Sequence, residues 1–175
     1  MDKKALDALT ADLIDNVIQN PDFVLCDYFR ERRTRIISRY VAELKIGHIT
    51  QNGDNLVLVG NPYGMLLHSV GKNPETDPTL NQESGVIQCW TKRFNDGEYL
   101  AGFRSPFNGR GNLTYLHNHY HEYFDEYFIL GKQIIAVNCI HTDIEDRNNG
   151  SDFDSDSLFV TNISCIVDHA KRCYK

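Results

Sequence analysis

Leu6, Leu9, Leu13, Ile14 and Val17 recur at helical spacing between Ala5 and Ile18, and Asn20-Pro21 closes the pattern. This predicts one amphipathic helix. A second is predicted from Asp22, a residue suited to the N-cap, with Leu25, Phe29, Ile36, Ile37 and Tyr40 on one face. After Leu44 the period changes from helical to alternating. Lys45 to Thr50 and Asn55 to Gly60 flank Gln51-Asn52-Gly53-Asp54, where Asn-Gly accepts the positive φ angles of a hairpin turn. Asn61-Pro62-Tyr63-Gly64 reads as a break before the apolar stretch Met65 to Val70, and Lys72 to Ser84 as a surface loop.

Val86 to Phe94 and Tyr99 to Arg104 suggest a second strand pair around Asn95-Asp96-Gly97. Ser105 to Asn112 is polar and loop-like, and Leu113 to Leu116 suits a short strand. Tyr120, Tyr123, Phe124, Tyr127 and Phe128 form a helical stripe, expected to be core, that Gly131 would close. Gln133 to Ile140 is the most apolar strand candidate. Leu158 to Thr161 follows an acidic loop, and Asn162 suits the cap of a last helix through Ile166, Val167, Ala170 and Tyr174.

The resulting order is two helices, about six short strands interrupted by a helix, and a final helix. It predicts an α+β fold: a small β-barrel with an N-terminal helical pair and a C-terminal helix. Residues 1–43 are expected to form the helical segment and 44–175 the barrel domain. No internal repeat is visible in the sequence.

Composition narrows the function classes. A chain of 175 residues, 41% of them hydrophobic, can bury one sizeable core. Its net charge of -6 argues against a general nucleic-acid coat, but the charge is unevenly distributed. Arg30, Arg32, Arg33, Arg35 and Arg39 cluster on the second helix, as either a solvated face or a phosphate-tracking one. Asp143, Glu145, Asp146, Asp152, Asp154 and Asp156 form an acidic counterpart. The cysteines (Cys26, Cys89, Cys139, Cys165, Cys173) are scattered and contain no C-x-x-C pair, as expected of reduced thiols. No apolar run approaches the ~18 residues of a membrane span, and no signal-peptide pattern opens the chain. No membrane association and a cytoplasmic location are therefore expected. Asn112-Leu-Thr and Asn149-Gly-Ser match the glycosylation sequon by chance on that view.

Candidate chemistry concentrates in Asp152, Asp154 and Asp156. In an extended strand, Cα atoms four residues apart lie roughly 13 Å from each other, whereas a divalent ion takes oxygen ligands at about 2.0–2.6 Å. A helix points residues two apart in different directions. Only a tight loop brings all three to one ion, and Asn149-Gly150 with small Ser155 suits such a bend. Two like charges about 4 Å apart repel by roughly 4 kcal/mol at an effective dielectric of about 20, so convergence favours a bound cation or a shared proton. The same composition also suits a solvated turn. A calcium EF-hand does not fit, because Ser157 stands where that loop needs Gly and Ile163 where it needs Glu.

Other constellations are weaker. His117, His119 and His121 lack an H-E-x-x-H arrangement. With a helix starting near Asn118, only His117 and His121 would share a face. His68 and His141 have no spacing partner. Cys139, in an apolar strand, reads as a buried thiol. No Walker loop, nucleophile elbow or Rossmann fingerprint is present.

The segment Asn149-Gly-Ser-Asp152-Phe-Asp154-Ser-Asp156 resembles the Asn-Ala-Asp-Phe-Asp-Gly-Asp loop in the large subunit of cellular RNA polymerases. It is also similar to the Asp-x-Asp-Gly-Asp loop of RNA-silencing RNA-dependent RNA polymerases. Arg104-Ser-Pro106, with Leu116-His117 further on, is similar to the Asn-Arg-x-Pro-Thr-Leu-His segment of the cellular enzymes. Gly60 to Tyr174 also resembles a domain of large bacterial and phage proteins that end their barrel in an Asp-x-Asp-Ser-Asp loop.

The resemblance implies a double-psi β-barrel in which Asp152, Asp154 and Asp156 hold Mg2+, with Mn2+ as substitute, and Arg104 contacts the incoming nucleotide. It implies nucleotidyl transfer from a nucleoside triphosphate to nucleic acid, completed by a second barrel from a partner chain or further sequence. Three features depart from the family pattern. Ser155 replaces a glycine, Phe103 replaces the asparagine before the arginine, and nine residues separate Pro106 from Leu116 where the family has almost none. A non-catalytic binding module, a piece of a larger polymerase-like protein and a structural calcium loop are the alternatives.

Overall fold

The computed structural model describes residues 3–47 and 51–174. Residues 1–50 and 51–175 form two compact units. In the first, α1 (Lys3–Gln19) ends where Asn20 accepts the Asp22 N–H and caps a 3-10 turn at Pro21–Leu25. Helix α2 (Asp27–Lys45) therefore starts later than expected, capped by the Cys26 sulfur, which accepts the Phe29 N–H. Among the described residues of this unit only Leu13 is fully buried, and Ile14, Ile18, Ile37 and Tyr40 stay largely exposed. Two of the clustered arginines have local partners: Arg30 pairs with Asp27 and Arg32 lies over the Tyr28 ring.

The second unit is a closed barrel of six strands: β1 (Gly53–Val59), β2 (Val86–Trp90), β3 (Tyr99–Phe103), β4 (Thr114–Asn118), β5 (Ile134–Val137) and β6 (Ser157–Thr161). Around the barrel the order is β1-β6-β3-β4-β2-β5, and β5 returns to β1. The pairs β1/β5 and β2/β4 are parallel and the other four antiparallel. A two-residue strand, Gln82–Glu83, extends β2 outward. The expected α+β class and small barrel are both present.

The two expected hairpins are not. The turn after Phe94 has hairpin chemistry, yet β2 and β3 do not pair with each other: β2 lies between β4 and β5, and β3 between β4 and β6. Strand β1 likewise pairs with β5 and β6, and it already includes Gly53. Of the strand expected at 45–50, Lys45 is helical, and residues 48–50 lie outside the described residues.

The pairing has an internal two-fold that the sequence does not display. Exchanging β1, β2 and β3 with β4, β5 and β6 maps every ladder onto one of the same sense, in matching register. Leu56 opposite Leu158 becomes Leu116 opposite Leu100, while Gly102 opposite Val160 and Trp90 opposite Ala136 map onto themselves. These leucines, with Leu58, Ile87, Cys89, Ile135 and Val137, fill the interior, each contributing about 1.5–3 kcal/mol for an aliphatic side chain removed from water.

Each half also sends a helix out after its first strand: α3 (Pro62–Ser69) and α4 (Glu122–Tyr127). Pro62, read as a breaker, opens α3, because a first-turn position needs no N–H. Helix α4 ends at Tyr127, before Gly131. Only Phe124 of the expected aromatic core stripe is fully buried, stacked on Trp90, whereas Tyr123 and Tyr127 pack against Tyr63 and Tyr127 is exposed. The segment 72–84 is less loop-like than expected, since Asp77, Thr79 and Leu80 are buried. The last two helices are α5 (Ile144–Arg147) and α6 (Ser164–Cys173). Ile163, not Asn162, stands at the α6 N-cap, and the Asn162 amide instead donates to Glu98. Among the described residues no helix is long and apolar enough to cross a membrane.

Candidate metal centre

The acidic loop begins where α5 stops. Asn149 and Gly150 take left-handed φ angles of 57° and 64°, and the N–H groups of Gly150 and Ser151 both donate to the Glu145 carbonyl. This is the bend the Asn-Gly pair predicts. At the other end the Leu58 N–H of β1 donates to the Asp156 carbonyl at 2.8 Å, which fixes the loop to the barrel. Between these anchors Ser155 adopts φ 115°, unusual for a residue with a Cβ. The result is convergence: carboxylate oxygens of Asp152, Asp154 and Asp156 lie within 4.8 Å of one another.

Arg104, directly after β3, reaches this loop. Its Nη2 donates to Asp156 Oδ1 at 2.7 Å and its Nη1 to the Asn148 carbonyl at 3.2 Å. The pair is mostly buried, with side chains 26% and 20% exposed. The second Asp156 oxygen accepts the Asp152 N–H at 3.1 Å. Asp156 is thus oriented from two sides, while Asp152 and Asp154 are exposed. A hydrogen bond with Asp152, that neighbour's charge, some loss of hydration and the charge of Asp156 together hold the Asp154 carboxyl above the usual aspartate range, with Arg104 opposing.

The internal two-fold supplies a comparison within one molecule. The register that pairs Leu158 with Leu100 sets Asp154-Ser155-Asp156 against Asp96-Gly97-Glu98, and Arg104 against Asn162. The matching bonds exist: the Asn118 N–H donates to the Glu98 carbonyl as Leu58 does to Asp156, and Asn162 reaches Glu98 as Arg104 reaches Asp156. Even the positive φ recurs, at Gly97. In that turn, however, the acids are bonded internally. Asp96 accepts the Tyr120 N–H at 2.8 Å, and Glu98 takes the amides of Asn95 and Asn162. Of the two related turns, only the one at 152–156 gathers three carboxylates.

The donors fit a hard divalent ion. All are carboxylate oxygens, which suit Mg2+, Mn2+ or Ca2+ over Zn2+. Next to the loop, Asn148 and Ser151 are buried, and the Asn148 side-chain amide and carbonyl and the Ser151 hydroxyl have no partner among the described residues. Buried polar atoms left in that state each cost about 1–3 kcal/mol, a cost that hydration water of an ion in the adjoining loop would relieve.

The predicted residues Asp152, Asp154, Asp156 and Arg104 are therefore brought together. Sequence reasoning missed Asn108, Asn112 and Asn148, and took Asn149 for the bend and the motif but not for its side-chain contacts. Asn108 and Asn112 both donate to Asn149 Oδ1, Asn112 also donates to the Arg147 carbonyl, and Asn149 Nδ2 donates to the Pro106 carbonyl. The run of asparagines on both loops was the available signal, and it suggested turn composition, sequons and, at Asn149, the loop motif.

The histidines do not gather. His117 lies in β4, bonded through Nδ1 to Glu83 at 2.8 Å and stacked on Tyr99, whereas His121 caps α4. The Asp trio is the only metal-competent group among the described residues. Cys139 lies just beyond β5, and burial pushes its thiol up to about 12, which makes it a poor nucleophile. All five cysteines are free thiols.

Neither a family model, nor a curated protein, nor a solved structure matches the chain.

Proposed function

We propose that residues 51–175 form a double-psi-type barrel carrying the metal site of a nucleotidyltransferase, similar to the catalytic barrel of two-barrel RNA polymerases. Two parallel strand pairs related by an internal two-fold support the barrel type. The observation that carries the functional reading is the convergence of three carboxylates at one barrel mouth, with an arginine bonded to the third. Asp152, Asp154 and Asp156 would hold Mg2+, or Mn2+ in its place. Held there, the ion supplies Lewis-acid activation of a 3′-hydroxyl and charge neutralisation at the reacting phosphate.

The chain's own residues perform the rest. Arg104 fixes the Asp156 carboxylate and, having used two of its five N–H groups, keeps donors for a triphosphate oxygen. Asp152 and Asp154 remain exposed on the side where a nucleic-acid end would approach. Residues 51–175 contain one barrel, so a two-barrel catalytic site takes its second from another chain or from further sequence. A binding module that holds the metal without turnover is the second reading, and that single barrel is what favours it.

The test is manganese titration followed by electron paramagnetic resonance. Wild type is expected to bind one ion, and Asp154→Asn to lose it without unfolding the barrel. Unchanged titration of the variant refutes the assignment. Binding of Ca2+ tighter than Mg2+, with no effect of nucleotide, replaces it with a structural loop.

A further inference from the structure

Beside the acidic loop lies a cleft of opposite charge. Arg110, Arg147 and Arg172 line an open cavity of about 680 Å3, completed by Asn112, Asp146 and Cys173. Three segments meet there: the 3-10 turn Arg110–Asn112, the end of α5 and the last turn of α6. Three arginines line it with one acid, Asp146, and Asp143 pairs with Arg147 from outside the lining, in a chain whose net charge is -6.

The arginines are not equivalent. Arg147 is fixed, with Nε donating to Asp143 at 2.8 Å and its guanidinium 4.4 Å from the Tyr174 ring centre. Arg110 and Arg172 make no side-chain hydrogen bond or ion pair among the described residues. Arg110 and Arg172 are also exposed, so both guanidiniums can meet an anion entering the cleft, and guanidinium forks match phosphate oxygens in shape and charge.

The cleft also shares a wall with the metal loop. Asn112, in the cleft lining, donates to the Arg147 carbonyl at 2.8 Å and to Asn149 at 3.0 Å. The neighbouring Asn148 carbonyl takes Arg104, which holds Asp156.

We propose that this cleft binds nucleotide phosphates, with Arg110 and Arg172 as the unpaired donors and Arg147 as the fixed one. The proposal rests on the nucleotidyl-transfer reading for its choice of phosphate ligand. The shared chemistry is a row of phosphate oxygens, supplied by either a triphosphate tail or a single-stranded backbone.

The test uses the full chain in EDTA, so that the cleft is probed without the metal site. Labelled single-stranded RNA is followed by fluorescence anisotropy and inorganic triphosphate by calorimetry, for wild type and Arg110→Ala/Arg172→Ala. A charge-assisted hydrogen bond lost at each arginine predicts at least a roughly 10-fold weakening per residue. For RNA, each lost phosphate contact lowers the salt slope by about 0.7. Weakening for RNA alone identifies a strand, weakening for triphosphate alone identifies a nucleotide tail, and either supports the cleft. Equal affinities of wild type and variant for both probes, or no binding by wild type, overturn it. Should the double variant unfold, Arg110→Gln and Arg172→Gln singly, each expected to lose about 10-fold, decide the matter. The manganese titration tests the triad separately, so the two proposals can fail independently.

Discussion

Arg104 and Asp156 offer the sharpest energetic test of how the loop is held. If their contact were a surface ion pair it would contribute about 0–1 kcal/mol. At 26% and 20% side-chain exposure, with Nη2 to Oδ1 at 2.7 Å and Nη1 also on the Asn148 carbonyl, it belongs to a stronger class. Hydrogen bonds to charged groups contribute roughly 1.5–3 kcal/mol. Removing one partner also strands a carboxylate whose other oxygen has only the Asp152 N–H.

A double-mutant cycle with Arg104→Met and Asp156→Asn, measured by urea unfolding in EDTA, is expected to give a coupling of about 1.5–3 kcal/mol. Each single substitution should also lower the midpoint without changing the slope. A coupling below about 0.5 kcal/mol would place the pair among exposed ones and refute the claim that Arg104 orients Asp156.

Ser155→Gly removes a Cβ from a residue at φ 115° and is expected to raise stability by about 1 kcal/mol, read from the same unfolding midpoints; a loss would show that the side chain matters more than the strain. Gly102→Ala, at the crossing of β3 and β6, puts a Cβ 2.7 Å from Leu158 Cδ2 and 2.8 Å from Thr114 Oγ1. It should cost about 1–3 kcal/mol, and a neutral result would contradict the packing on the two-fold.

The raised Asp154 pKa sets a pH signature. Because the group holds its proton above the ordinary aspartate range, its contribution to metal-free stability is complete below the unfolded-state pKa and disappears as pH rises through the folded one. Manganese must displace that proton, so affinity should fall by up to one decade per pH unit as pH drops through the same window. A flat profile there would remove Asp154 from the ligand set.

Local signals were read well and long-range ones poorly. Helix α1 was legible because Leu13, Ile14 and Val17 repeat at its period, and the loop bend because Asn149-Gly150 has few alternatives to a left-handed turn. The hairpin at Asn95-Asp96-Gly97 was misjudged for a physical reason. Turn chemistry fixes the chain reversal but not the neighbour: Leu100 pairs with Leu116 and Ile87 also pairs with Leu116, so β4 separates the strands the turn joins. Helix α3 was missed because Pro62 breaks a helix only inside it. At the site, the three aspartates were legible from spacing combined with a geometric requirement. Arg104 came only from resemblance, since no periodicity connects residue 104 to residue 156. The partnerless Asn148 was illegible, because burial of a loop asparagine depends on what packs over it.

Anomalous diffraction from crystals soaked in Mn2+ shows directly whether the three aspartates form one cation site. A single strong peak is expected among Asp152, Asp154 and Asp156, about 2.0–2.6 Å from an oxygen of each. No peak there, with the three carboxylates turned apart into solvent, would contradict it.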